Sequence, residues 1–517
     1  MRLRSQDLLL LICASAALIL LANLGLAPLW GSEGRWAVIA RSMLTSGDIF
    51  NPLLGIDPYW DKPLLSYWQI LPLAYLLGGV SEFAARLPSS LWALIMLVLT
   101  YDLAKRRLDT ATALISAALL CTTLGFVFWG RNAQVEMTNA AVILLSIWYF
   151  LRHKSDKTHS WIFVLGALMA IGANMKGLTA IAVPIFCILL LSLVKRDWSW
   201  FPPLKVLIPA LIVSAGVFIT LPLLASLFFS SWEPLRLVWK ENVVRFFHPF
   251  DHKDPFYVYC YRIFDLAAPW SLFLPPALFR ALKDARLKHA HIRDILLIFG
   301  AIFLFFTLSG SRRPYYILPI LPFASILVAD CFMRFMRGEL TPGLQRITTM
   351  LGLLLALILA VPLPALIMKP AFLPQGVEGL LPLSVVFFIC AVLLAIGFLK
   401  RYSLGIIAPV MIVWFGFVLV VVPWTVRQPG NLRSDVAHVA SMHKPVALLF
   451  NDAKTIYYLN RPYEVQPDLE KAHIWARRTG GILITADALQ DESWVCIIDS
   501  KKWKAYQLSA APSNNAN

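Results

Sequence analysis

The chain has 517 residues, of which 59% are hydrophobic and only 15% charged, and its formal net charge is +16; its mean hydropathy is +0.69. A soluble domain carries about 25% charged residues, so this composition excludes a chain that faces water on all sides. The basic excess does not mark a nucleic-acid partner, because the Lys and Arg residues lie scattered in short loops between apolar runs rather than on one domain.

A bilayer-spanning helix needs about 20 mostly apolar residues. Runs that meet or approach this lie near 7–29, 84–104, 111–128, 135–151, 160–174, 177–194, 204–229, 262–282, 291–308, 314–333, 347–367, 380–399 and 404–424. The expected fold is therefore an all-α polytopic membrane protein with about 13 transmembrane helices. The first run follows Met1-Arg2-Leu3-Arg4. It is longer than the apolar core of a signal peptide, so it is expected to stay as an anchor. With the N-terminus inside, alternate loops carry Lys105-Arg106-Arg107, Arg152 with Lys154 and Lys157, Lys195-Arg196, Arg280 with Lys283, Arg286 and Lys288, Arg334 with Arg337, and Lys400-Arg401. All then fall on the cytoplasmic side, as the positive-inside bias requires. The expected location is a plasma (inner) membrane with the C-terminus outside.

After residue 428 the pattern changes. Pro445–Phe450, Gly481–Thr485 and Trp494–Ile498 are short strand-like runs, and Asp468–Arg478 fits a helix. Residues 1–428 therefore form the membrane domain, and 429–517 form a small C-terminal α/β domain on the outer side. The tail after Ser509 has the composition of a disordered segment. No internal repeat is visible. The seven Cys (13, 121, 187, 260, 331, 390 and 496) lie mostly within apolar runs and show no paired spacing, so no disulfide framework or zinc motif is expected.

The outer loops run against the topogenic bias, because their Lys and Arg sit among aromatics and acids. The set includes Arg35, Arg41, Lys62, Arg131, Lys176, Arg245, Lys253, Arg262, Arg312 and Arg313. Anion binding and local pairing with acids both explain such residues. The first outer loop holds Glu33 and Asp61, acids at the end of a span that are costly unless solvated or used. Glu136 lies just inside a span. A role in the site and an ion pair with Arg131 or Lys176 are both open for it. The fourth loop places His248 and His252 beside acids with no strong metal spacing. The fifth, Ser309-Gly-Ser-Arg312-Arg313-Pro314-Tyr315-Tyr316, suits a phosphate headgroup and also an ordinary interfacial belt.

The first-loop sequence Ser32-Glu33-Gly34-Arg35-Trp36 through Asp48, then Pro58-Tyr59-Trp60-Asp61-Lys62-Pro63, then Glu82-Phe83-Ala84-Ala85-Arg86-Leu87-Pro88, resembles a known family. That family is the polytopic glycosyltransferases related to the lipid A aminoarabinose transferase and the protein O-mannosyltransferases. The resemblance continues through Asn174–Leu178, Glu241–Phe246, His252–Tyr259 and Ser311–Pro319. It implies the glycosyltransferase C fold, a polyprenyl-phosphate-linked sugar as donor, inverting transfer on the outer face, and a lipid, glycan or protein acceptor. It also implies residue roles. The family's first-loop acid pair is usually Asp-Glu, with the Asp favoured as catalytic base. Here Ser32 stands in the Asp position, so the role passes to Glu33 or to Glu136, which matches the family's second acid; Glu33 is the first expectation. Lys62, with Tyr59 beside it, matches a lysine for the lipid phosphate, and Lys176, Arg312, Arg313, Tyr315 and Tyr316 fall near the headgroup. Asp61 and His252 correspond to a pair that binds zinc in some relatives, so a divalent metal, zinc or magnesium, is the candidate cofactor. A transporter or flippase of lipid-linked sugars is the rival reading. It calls for inverted repeats and polar groups at mid-membrane, whereas the polar residues here crowd the outer loops. A scaffold presenting the C-terminal domain explains the topology but not the first loop.

Overall fold

The structure is a computed structural model that describes residues 4–240, 244, 254–286, 290–368, 377–427, 432–450, 452–499 and 503–509. It is a helical membrane bundle carrying a small sheet domain at one end. Each expected apolar run except 262–282 coincides with one helix or one bent pair of helices. Among the described residues, seven helices are long and apolar enough to cross a membrane, with an eighth crossing if the bent pair Thr110–Cys121 and Leu124–Gly130 counts as one. Ser5–Leu21, Trp161–Met175 and Thr179–Lys195 are shorter apolar helices. Helix Glu136–His153 carries polar residues at both ends and is buried over most of its length. Helix Leu204–Phe228 is the opposite case: only 11% of its apolar window is buried, so its surface is lipid-facing.

The run 262–282 is not one helix. It divides into Val258–Leu266, a 3-10 turn Trp270–Phe273, and Leu274–Arg286. Pro269, at the break, has no N–H to continue a helical ladder. This break packs against the bend at Thr122–Thr123. There the Leu124 N–H donates to the Ala268 carbonyl at 2.7 Å, Trp270 Nε1 to Thr122 Oγ1 at 2.8 Å, and Trp414 Nε1 to the Thr122 carbonyl at 2.8 Å. Two broken segments thus satisfy each other's backbone inside the protein, the condition under which irregular backbone is tolerated at membrane depth.

The loops expected on the cytoplasmic side meet through ion pairs, among them those built on the buried carboxylates of Asp294 and Asp284. Asp294 accepts from Lys195 at 2.9 Å and Arg107 at 3.2 Å. Asp284 faces Arg280 at 3.0 Å and Arg334 at 3.2 Å, and Lys154 pairs with Asp197 at 3.1 Å. These basic residues therefore share one face of the bundle.

The opposite face carries the sheet domain. Its strands β3 (Val446–Leu448), β4 (Glu464–Val465), β5 (Ile482–Thr485), β6 (Trp494–Asp499) and β7 (Lys504–Leu508) lie in the order β4-β3-β5-β7-β6. The pairs β3–β4 and β3–β5 are parallel, and β5–β7 and β6–β7 antiparallel. β1 (Leu53–Leu54) and β2 (Asp57–Pro58) form a separate hairpin in the first outer loop. Helix Leu469–Thr479, capped by Asp468, fills the expected position, and helix Ala453–Leu459, capped by Asp452, is additional.

That additional helix docks the domain on the first outer loop. Arg41 caps its C-terminal end, donating to the carbonyls of Tyr457 at 2.8 Å and Ile456 at 3.1 Å and to Asn460 Oδ1 at 2.9 Å. Burial lowers the Arg41 pKa from its ordinary value, yet guanidinium stays charged. Tyr458 Oη accepts from the Leu29 N–H at 2.7 Å and donates to Glu82 at 3.2 Å, and burial pushes its pKa up to about 12. The Arg433 guanidinium also pairs with Glu82. Gly34 lies against this helix so closely that a Cβ there would stand 2.8 Å from the Lys454 backbone nitrogen. Gly34→Ala is expected to loosen the docked domain at a cost of about 1–3 kcal/mol. Faster limited proteolysis of the C-terminal domain checks this against Gly343→Ala, where a Cβ meets nothing within 4 Å.

Candidate active site

The cavity that concerns the site has a volume of about 600 Å3 and lies where the first outer loop meets the ends of the helices. Its polar wall comes from Ser32, Arg35, Tyr59, Asp61 and Lys62 of the first loop, Gln134, Glu136 and Asn139 at the start of helix Glu136–His153, Lys176 at the end of helix Trp161–Met175, and Arg313, Tyr315 and Tyr316 of the fifth loop. Its apolar wall comes from Ala182, Phe218, Leu221, Pro222, Phe305 and Phe306 on three membrane helices. Residues more than 250 positions apart thus meet in one chamber with a charged roof and a lipid-like side.

The two candidate catalytic acids have different environments. Glu33 does not line the cavity, is 1% exposed and is fully engaged. Arg86 donates to its two carboxylate oxygens from Nε at 2.8 Å and Nη2 at 2.7 Å. The N–H groups of Ala133 and Trp30 donate to the same carboxylate at 2.7 and 2.6 Å. Arg86 also donates to the carbonyls of Leu24, Ala27 and Pro28 at 2.8–3.0 Å. The expectation that Glu33 supplies the first-loop base thus meets a geometry in which its carboxylate faces four protein donors and not the chamber. Glu136 does line the cavity. It is the first residue of its helix, where the N-terminal dipole favours a negative charge, and its carboxylate is ion-paired with the Lys176 ammonium. Of the two partners considered for Glu136, Lys176 is the one found. Arg131 instead caps the first helix, donating to the carbonyls of Ile19, Leu20 and Ala22 at 2.6–3.0 Å.

The cations around Glu136 are organised by aromatic rings. Lys176 lies 4.8 Å from the Tyr316 ring centroid. Arg35 donates to Tyr59 Oη at 2.6 Å and lies 5.0 Å from its ring, and Arg313 donates to Tyr315 Oη at 2.6 Å. Arg35 therefore orients Tyr59 and not Glu33. Lys62 Nζ donates to the Asp61 carbonyl at 2.9 Å, and the Asp61 side chain is exposed at the cavity rim. Arg312 does not line the chamber; it braces the fifth loop by donating to the Thr307 carbonyl at 3.1 Å and the Asp254 carbonyl at 3.0 Å.

The metal expectation finds no ligand set. Among the described residues no three His, Cys, Asp or Glu side chains gather as a metal site. His252 lies outside the described residues, as do His248, Arg245 and Lys253. The Asp61–His252 pair therefore cannot be assembled from the described residues, and no metal enters the chemistry below.

In the sequence Arg86 and Asn174 stand out only as parts of motifs, and Gln134 and Asn139 belong to none. The one available signal was spacing: Gln134 is two residues before Glu136 and Asn139 three after it. The cage around Glu33 gives a further test. Glu33→Gln leaves the buried Arg86 charge without its counterion, which costs about 3–5 kcal/mol. The expected outcome is a clearly lower thermal unfolding temperature in detergent, largely recovered when Arg86→Met is added. Unchanged thermal stability of the single variant would contradict the cage.

Comparison with known proteins agrees with this architecture. Residues 61–224 match the family model described as dolichyl-phosphate-mannose-protein mannosyltransferase. The undecaprenyl phosphate-alpha-4-amino-4-deoxy-L-arabinose arabinosyl transferase of Erwinia tasmaniensis is 32% identical over 324 residues, 60% of this chain and 57% of that protein. An uncharacterized protein of Aquifex aeolicus is 30% identical over 333 residues, 62% of this chain and 63% of its own length. The chain thus spans about six-tenths of the length of these curated relatives. The crystal structure of ArnT from Cupriavidus metallidurans bound to undecaprenyl phosphate superposes with a TM-score of 0.73 at 19% identity, covering 96% of this chain and 97% of that one. The resemblance carried by the outer-loop motifs is therefore borne out: this chain of apolar helices is similar in sequence to polyprenyl-phosphate-sugar glycosyltransferases and has the fold of the ArnT structure.

Proposed function

We propose that the protein is an inverting glycosyltransferase that moves a sugar from a polyprenyl-phosphate donor to a lipid, glycan or protein acceptor at the outer face of the inner membrane. The observation that carries this reading is one chamber holding Arg35, Lys62, Lys176 and Arg313 beside a carboxylate, with a wall of apolar membrane-helix side chains. Phosphate needs the cations, a prenyl tail needs the apolar wall, and a hydroxyl nucleophile needs the carboxylate. The names of the relatives add that their donors are sugars on undecaprenyl or dolichyl phosphate, and undecaprenyl phosphate is bound in the similar ArnT structure.

In this reaction Glu136 accepts the proton of the acceptor hydroxyl as its oxygen bonds to the anomeric carbon. The bond from that carbon to the phosphate oxygen breaks on the opposite side, and the polyprenyl phosphate leaves with the electron pair. Lys62 and Arg313 neutralise the charge that grows on the leaving group, an effect strengthened where water is excluded. Lys176 orients Glu136 through their ion pair. Tyr59, Tyr315 and Tyr316 hold the cations in position through the contacts described above. Glu136→Gln keeps the shape of the side chain and removes its basicity. Transfer is expected to fall about 10²–10⁴-fold with donor binding retained, whereas Lys62→Ala is expected to weaken donor binding itself. A single-turnover assay with a radiolabelled donor, run beside a binding measurement, separates the two.

The positive-inside bias places the face of Lys105–Arg107, Lys195 and Arg334 in the cytoplasm. The first loop and the C-terminal domain then lie outside, and the N-terminus inside. Ile56→Cys, exposed in the β1–β2 turn, is expected to react with a membrane-impermeant thiol reagent in intact spheroplasts. Labelling that appears only after lysis would reverse the orientation.

A further inference from the structure

The neutral groups of the chamber wall are specific. Among the described lining residues, four cations, Arg35, Lys62, Lys176 and Arg313, stand with two carboxylates, Asp61 and Glu136. Glu136 is already paired with Lys176, and Asp61 is exposed at the rim, next in the chain to Lys62. Part of the wall is an uncharged pair. Ser32 Oγ donates to Gln134 Oε1 at 3.0 Å. Gln134 is 6% exposed, and its Nε2 donates to no acceptor among the described residues, although the side chain lines the chamber. Asn139, 3% exposed, is similar: Oδ1 accepts from Thr179 at 3.3 Å, and Nδ2 has no acceptor among the described residues. Buried amide donors that end at a cavity wall call for acceptor atoms on the ligand.

Resting on the donor reading above, we infer that the Ser32–Gln134 pair with Asn139 is a sugar-hydroxyl subsite, and that the transferred sugar carries no basic amine. A ring hydroxyl accepts from the Gln134 and Asn139 amides and donates in turn to the Ser32 hydroxyl. An ammonium in the same place has no lone pair for those amides and shares the chamber with more described cations than described carboxylates, so the site selects against it by unpaired donors first and like charge second. The Erwinia relative is named for an amino sugar; the inference sets the sugar class of this chain apart from it.

The test is a binding competition on the full-length protein in nanodiscs. It uses two matched donors, undecaprenyl phosphate-linked L-arabinose and its 4-amino-4-deoxy analogue, with bare undecaprenyl phosphate as reference. At about pH 7 the hydroxyl donor is expected to bind about tenfold or more tighter, with the gap narrowing near pH 9.5, where such an amine has lost its proton. Ser32→Asp, which adds the missing acid, is expected to narrow or reverse the preference, and the near-isosteric Gln134→Glu to do the same if the first variant folds poorly. Equal or tighter binding of the amino donor by the unaltered protein at pH 7 overturns the inference and leaves the donor reading intact. A preference unchanged in a folded variant overturns the assignment to this pair. Failure to bind either donor or bare undecaprenyl phosphate overturns the donor reading and this inference with it.

Discussion

The buried pairing of Glu33 with Arg86 is the constraint on which the half of the molecule that carries the chamber depends. One guanidinium joins the start of helix Glu33–Ser46, the carbonyls of 24–28 and the outer end of helix Glu82–Arg107, and the carboxylate reaches on to the Ala133 N–H. Two opposite charges removed from water at this depth are costly unless every remaining lone pair and proton is engaged, and here the carboxylate has four donors. The cage fixes three chain segments relative to one another. Ser32 lies one residue before Glu33, and Gln134 and Glu136 follow Ala133 closely, so the walls of the chamber inherit their positions from it.

The same logic divides the molecule's charged residues into two classes. On one face, Asp294 and Asp284 hold Lys195, Arg107, Arg280 and Arg334 in pairs that staple helix ends together. Around the chamber Arg35, Arg313 and Lys176 are steadied by tyrosine rings and hydroxyls. Aromatic partners hold a cation in place without cancelling its charge, which suits a phosphate site. The sheet domain contributes by fastening the first loop at Arg41, Leu29 and Glu82, outside the chamber.

Much of this was legible in the chain. The apolar runs located the helices because a membrane helix is defined by its own length and composition. The outer-loop motifs marked Lys62, Lys176, Glu136, Tyr315 and Tyr316, which the fold does bring together. The run 262–282 misled because a hydrophobic stretch does not reveal that its break will be satisfied by a second break at Thr122. Glu33 and Arg312 lie outside the chamber lining for a related reason: proximity in sequence to a motif does not say which way a side chain turns. Glu33 turns toward Arg86, 53 positions away, a pairing no local pattern announces. Strands β4 and β7 and helix Ala453–Leu459 went unnoticed because they are short and packed by tertiary contacts rather than by strong local periodicity.

The central claim is that the phosphate of a polyprenyl donor is held between the first and fifth outer loops, with Glu136 beside the reacting carbon. A cryo-EM structure of the protein in nanodiscs with undecaprenyl phosphate tests it most directly. The account predicts phosphate density in contact with Lys62 and Arg313 and a prenyl tail along Phe218, Leu221 and Phe305. Phosphate density elsewhere on the molecule, with this chamber filled only by water, would contradict it.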